Sequence, residues 1–193
     1  MVYDLTLIEP MQKLFKVHTR GDNQLQQLRD DVTVTPGDLL SMPAGGVTLL
    51  GLKYNMAVGV LFVDAWLSGR GHFFYGGQVE DSATAEISRS QVWQWLRHQT
   101  QMEDDSRVVS LQLVRDLLHQ LLVDLSALRP SSQAKQRLRT AADMFLEVVL
   151  KRDFPEFLTT YLNQEHTFLR AQRAEPVEGA EPVEAGDVQR AKL

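Results

Sequence analysis

Leu49–Leu67 reads LLGLKYNMAVGVLFVDAWL, an apolar run in which only Lys53 and Asp64 carry charge. It is long enough to cross a bilayer, but Lys53, Asn55 and Asp64 would each be costly there. The run is therefore expected to be a soluble helix. Lys53, Ala57, Val60 and Asp64 recur at helical spacing and form one narrow polar-to-small stripe on an otherwise apolar cylinder. Such a helix should be buried on most of its surface, with other helices around it.

The rest of the chain supplies them. Upstream, residues 1–17 begin with a short β-like run and pass into a helical pattern at Met11, Leu14 and Phe15, as if entering a structure already under way. Thr35-Pro36-Gly37-Asp38 offers an N-cap, a proline at the first helical position and an acid in the first turn. That helix should run to about Met42 and stop at Pro43 and Gly45-Gly46. Downstream, Gly69 and Gly71 end the long helix, and His72-Phe73-Phe74-Tyr75-Gly76-Gly77 reads as an irregular or extended connector. Ser88-Arg89-Ser90-Gln91 has the form of a capping box, with Ile87 as a staple on Val92, and predicts a helix from about Arg89 to His98. Ser110 precedes leucines at 111, 118, 121, 122 and 125, a helix that lasts until Pro130. Ser131 and Ser132 open another through Leu138, Ala142, Phe145 and Val149. Asp153-Phe154-Pro155-Glu156 opens a last one through Leu158, Tyr161 and Leu162. The fold class is mainly α.

From Ala171 the composition turns acidic and proline-containing, with Ala174-Glu-Pro-Val-Glu repeated at Ala180, and reads as a flexible tail. The 193 residues are 44% hydrophobic and 23% charged, which is ordinary globular material for one domain with a tail. A net charge of −5 supplies no basic field for phosphate backbones or anionic lipid, so neither nucleic acid nor a membrane is an expected partner. Zero cysteines exclude disulfides, thiolate zinc sites and cysteine nucleophiles. The five histidines, His18, His72, His98, His119 and His166, show no spacing that suggests a zinc site. The N-terminus lacks the basic and apolar regions of a secretion signal.

One segment points to chemistry. Val79-Glu80-Asp81-Ser82-Ala83-Thr84 follows a glycine pair and places Asp81 where a loop meets a helical piece. The plainest reading is that Asp81 or Ser82 caps a turn over 82–87. Glu86 and Arg89, three apart, read as a solvated pair, and Trp93, Trp95 and Leu96 as core.

The stretch EDSATAEISRSQVWQWLRH, residues 80–98, resembles the signature of the malate synthase family over its whole length. Leu28-Arg29-Asp30-Asp31-Val32-Thr33-Val34-Thr35 with Asp38-Leu39-Leu40 resembles a second family stretch. Asn55-Met56-Ala57-Val58-Gly59-Val60 and Ala65-Trp66-Leu67-Ser68-Gly69-Arg70-Gly71 resemble a third. The resemblance covers about residues 1–165. It implies condensation of acetyl-CoA with glyoxylate, then hydrolysis to malate and CoA, with Asp81 taking the proton from the thioester methyl. Helix-terminal amides favour the ionised carboxylate, so substrate should bury Asp81 in part and strengthen it as a base. Glu80 also belongs to the motif and is assigned no catalytic role; a structural hydrogen bond is an equal reading of it.

The implied architecture is the family's C-terminal helical bundle over 21–170, with at most the last strand and helix of a TIM barrel in 1–20 and the acidic tail in 171–193. In the family the barrel carries the Mg²⁺ ligands and the arginine that steadies the enolate, and no positions of this chain match those motifs. Asp4-Leu5 stands where the family has His-Pro, and Gly77-Gln78-Val79 where it has Asn-Leu-Met. Ala191-Lys192-Leu193 is close to the Ser-Lys-Leu address of peroxisomes, which with the family's glyoxysomal members implies a peroxisomal import receptor as partner. The alternative reading is a non-catalytic helical remnant that binds a partner. A domain shaped to pack on a barrel should also expose an apolar face by itself.

Overall fold

A computed structural model describes Val2 and residues 5–163, which divide between Ala44 and Gly45 into two compact units. In the first unit a 3₁₀ turn, Leu5–Leu7, runs into α1 (Ile8–His18). From Leu5 onward the expected β-like start is helical instead. Pro10, in the first turn of α1, has its φ preset for a helix and lacks an N–H only where none would be bonded. Further on, α2 (Pro36–Leu40) follows the predicted cap closely. Thr35 Oγ1 accepts from the Asp38 N–H at 3.2 Å, and Asp38 Oδ2 accepts from the Thr35 N–H at 2.8 Å. The helix stops at Leu40, two residues short of the expected end. Among the described residues of this unit none is buried.

The second unit is built around α3 (Leu49–Leu67), capped by Thr48, whose Oγ1 accepts from the Gly51 N–H at 3.0 Å. Leu52 and every residue from Asn55 to Ala65 are buried. Among the described residues α3 is the one helix long and apolar enough to cross a membrane, yet 67% of its apolar window is covered by this fold, as in a core helix. Its polar stripe does not form one wet face. Lys53 is exposed near one end, whereas Asp64 is buried near the other and ion-paired to Arg129 and Arg137.

After α3 the chain makes an antiparallel hairpin, β1 (His72–Tyr75) and β2 (Gln78–Asp81), with His72 opposite Asp81 and Tyr75 opposite Gln78. The sequence reading of an irregular connector is corrected here. Gly76 and Gly77 both take positive φ, +56° and +77°, the requirement of a two-residue turn that matches the twist of paired strands. β2 leads directly into α4 (Ser82–Arg97), which begins seven residues before the expected start at Arg89. Asp81 and Thr84 form the capping box, so Ser88 and Arg89 lie inside the helix and are buried, while Ile87 is exposed and staples nothing.

Both later caps stand as read. Ser110 Oγ accepts from the Leu113 N–H at the start of α5 (Leu111–Ala127) and Ser131 Oγ from the Ala134 N–H at the start of α6 (Ser132–Leu150). The last helix, α7 (Leu158–Leu162), starts later than predicted. Residues 153–157 are not helical, and side chains of α4 engage Phe154 and the Glu156 carbonyl there. The core joins Leu52, Met56 and Phe62 of α3 to Val92 of α4, Phe145 of α6 and Leu158 of α7. Gly59 lets α6 approach α3 closely, since a Cβ there would lie 2.2 Å from the Phe145 ring. The second unit is a helical bundle with one small hairpin.

Candidate functional site

Side chains alternate across a strand, so Glu80 and Asp81 at the end of β2 point opposite ways. Glu80 is buried and accepts a hydrogen bond from the Tyr54 hydroxyl of α3 at 2.5 Å. Of the two readings of Glu80, this geometry is that of a structural hydrogen bond. Burial and that carboxylate push the Tyr54 hydroxyl up to about 12, so tyrosine stays the donor at any physiological pH. The Tyr75 ring of β1 lies 5.4 Å from that of Tyr54, which fixes the hairpin against α3 from a second point.

Asp81 faces outward and is exposed. Its Oδ1 accepts from the Ala83 N–H at 2.8 Å, while Thr84 Oγ1 accepts from the Asp81 N–H at 2.9 Å and donates to its carbonyl at 3.0 Å. Backbone and side chain of Asp81 are therefore both tied to the first turn of α4. The positive end of the helix lies behind the carboxylate. His72, across the hairpin, is its strand partner.

The next turns of α4 are anchored from far along the chain. Arg89 is fully buried; its Nε donates to Glu86 Oε2 at 2.8 Å, and its guanidinium lies 3.8 Å over the Phe154 ring. Glu86 Oε1 accepts from the Leu158 N–H at 2.7 Å. The reading of Glu86 and Arg89 as a solvated pair is overturned: the pair is a clip that holds residues 153–158 onto α4. Trp95 and Leu96 pack against the core as expected, half-buried. Trp93 is at the margin, donating from Nε1 to the Lys151 carbonyl at 2.8 Å with its ring edge-on to Phe154.

Gly77 and Gln78, in the stretch that departs from the family's Asn-Leu-Met, belong to the turn and the first position of β2, and Val79 is half-buried. His18, His72, His98 and His119 are described; His166 and the tail with Ala191, Lys192 and Leu193 lie outside the described residues. Among the described residues no three His, Asp or Glu side chains come together as metal ligands.

Two features escaped sequence reading. The hairpin had a signal, Gly76-Gly77 between aromatic and alternating residues, of the kind that marks two-residue turns. The Tyr54–Glu80 bond had none, because its partners lie 26 residues apart on different elements.

A family model described as "Malate synthase, C-terminal" matches residues 47–165, the whole of α3 to α7. The chain belongs to the malate synthase family. Relatives agree: "Malate synthase" of Myxococcus xanthus is 39% identical over 158 residues, 79% of this chain and 28% of that protein. "Malate synthase A" of Escherichia coli is 33% identical over 138 residues, 71% of this chain and 26% of the relative. "Malate synthase, glyoxysomal" of Candida tropicalis is 28% identical over 165 residues, 83% of this chain and 29% of the relative. The chain thus spans less than a third of the length of these malate synthases, and α3 to α7 form the C-terminal malate synthase domain.

Proposed function

We propose that this chain furnishes the C-terminal part of a malate synthase and that Asp81 is the base of its condensation step. The Asp81 carboxylate takes a proton from the methyl carbon of acetyl-CoA. The resulting enolate carbon attacks the aldehyde carbon of glyoxylate, forming the new carbon–carbon bond and an alkoxide that is protonated to the malyl thioester. Water then cleaves the thioester and releases malate and CoA. The observation that supports this reading is the position of Asp81, exposed at the end of a strand and held by the amides of α4. A base on a rigid strand-to-helix junction keeps its bearing while substrate arrives.

The test is a graft: residues 47–165 replace the matching part of Escherichia coli malate synthase A, and glyoxylate-dependent thiol release from acetyl-CoA is followed with Mg²⁺. Thiol release is expected, with a loss of about 10²–10⁴-fold in Asp81→Asn. Near-normal turnover in that variant sinks the base assignment. A folded but inactive graft with Asp81 intact favours a non-catalytic helical remnant that binds a partner.

The same reading places the chain in peroxisomes, delivered by the import receptor that reads Ala191-Lys192-Leu193. Its support is the glyoxysomal name of two relatives, the malate synthases of Candida tropicalis and Ricinus communis. A fluorescent protein ending in residues 171–193 should collect in peroxisomes and turn diffuse when the last three residues are removed. Diffuse signal from both overturns the placement.

A further inference from the structure

Asp81 is exposed, so its side chain draws little guidance from packing. Its bearing comes from the backbone on either side, the end of β2 before it and the first turn of α4 after it. Both of these elements are tied to α3 by a side-chain hydrogen bond, and the two donors are neighbours in the sequence. The Tyr54 hydroxyl donates to Glu80 Oε1 at 2.5 Å, one residue before Asp81. Asn55 Nδ2 donates to Gln91 Oε1 of α4 at 2.8 Å.

Tyr54 meets the hairpin at three places. They are Glu80 on β2, the Tyr75 ring of β1 at 5.4 Å, and the turn, where a Cβ on Gly76 would lie 3.8 Å from the Tyr54 ring. Glu80 and Asn55 are buried, where a polar group is costly unless it is hydrogen-bonded, so each is held to the geometry of its bond. Glu80 and Asp81 are consecutive on one strand and point to opposite faces, so any retreat of Glu80 toward water turns Asp81 as well. On the other side, a roll of α4 would move the Ala83 N–H from which Asp81 Oδ1 accepts. Two polar side chains in an otherwise apolar core helix thus bear on the same carboxylate from its two flanks.

We propose that Tyr54 and Asn55 are positioning residues for Asp81: through Glu80 and Gln91 they set the place and bearing of its carboxylate. This inference rests on the reading of Asp81 as the base. Both residues act through the backbone of residues 80–83. A displacement of about 1 Å in a reacting group can cost about 10²-fold in rate, so a bond that fixes the end of β2 matters for turnover.

In the graft of residues 47–165, Tyr54→Phe keeps the ring contacts and Asn55→Leu keeps the volume, and each removes one hydrogen bond. Each is expected to lower kcat about 10–100-fold with KM for acetyl-CoA and for glyoxylate unchanged. Near-normal kcat in either variant overturns the proposal. The double variant Tyr54→Phe/Glu80→Met removes the buried carboxylate that Tyr54→Phe strands; it should restore the stability of the full chain in urea but not the turnover of the graft. Recovery of both would make the bond a matter of folding alone and overturns the proposal. Asp81→Asn, measured beside these, keeps the two readings apart. Near-normal turnover there removes the base itself, whereas an inactive Asp81→Asn beside an unimpaired Tyr54→Phe removes the positioning role alone. Hydrogen exchange on the full 193-residue chain needs no activity: Tyr54→Phe should speed exchange at the amides of residues 80–84 about tenfold and leave those of α5 and α6 unchanged. Unchanged exchange at 80–84, or acceleration spread equally over α5 and α6, overturns the proposal.

Discussion

Asp81 caps α4 and also presents a carboxylate, and substitution separates the two roles. Asparagine caps a helix as well as aspartate does, so Asp81→Asn should change unfolding free energy by less than about 0.5 kcal/mol, whereas Asp81→Ala should cost about 1 kcal/mol. Urea denaturation of both variants checks this, and equal losses would mean that the cap contributes little. Glu86→Ala is expected to be far worse. It leaves Arg89 uncompensated in the core and frees the Leu158 N–H, a loss of about 3 kcal/mol or more by the same measurement. Tyr54 carries a pH signature. Its folded value is raised above the ordinary one, so its contribution is complete below about pH 10 and is lost as pH rises through about 12. The wild type should therefore lose stability between those limits, and Tyr54→Phe should lose less. At this scale the sequence shows which groups are charged and how they are spaced, but not their surroundings. Glu86 and Arg89 are visible as a pair three residues apart; their burial comes from Phe154 and Leu158, which no local pattern ties to α4.

The helices are legible where a polar cap meets an apolar repeat. Thr35, Ser110 and Ser131 each open the helix expected of them because a side-chain oxygen replaces a lost amide partner. α4 departs from its expected start for the same physical reason: two box-like patterns compete, and the earlier one, Asp81 with Thr84, starts the helix. Among elements, the α3–α6 contact is the least tolerant. Gly59→Ala puts a methyl group into the Phe145 ring and should destabilise by about 1–3 kcal/mol, and adding Phe145→Leu should recover part of the loss. Thermal unfolding of the single and double variants tests it; additive losses would mean that the two residues do not compete for space. The turn of the hairpin is equally specific. Gly77→Asn, a residue that accepts positive φ, should be tolerated, whereas Gly77→Val should weaken the hairpin.

Across the whole molecule apolar surface is unevenly distributed. Leu5, Leu25, Leu28, Leu39, Leu40 and Met42, all ahead of Gly45, are each at least three-quarters exposed, while the core lies wholly after it. Limited proteolysis should therefore cut first within residues 5–44 and leave a resistant fragment that starts near Gly45; first cuts inside α3 to α6 would contradict the division. Composition and periodicity make the helical class legible, but not this division, because exposed and buried leucines look alike in a sequence. The close contact of α3 with α6 also bears on biosynthesis. α3 is complete at Leu67 and α6 only at Leu150, so an apolar cylinder leaves the ribosome roughly 80 residues before its neighbour. At a synthesis rate of roughly 5–20 residues per second the wait is on the order of 10 s. During that time the hairpin and α4 can already cover part of α3, but the face that will meet Phe145 of α6 stays bare.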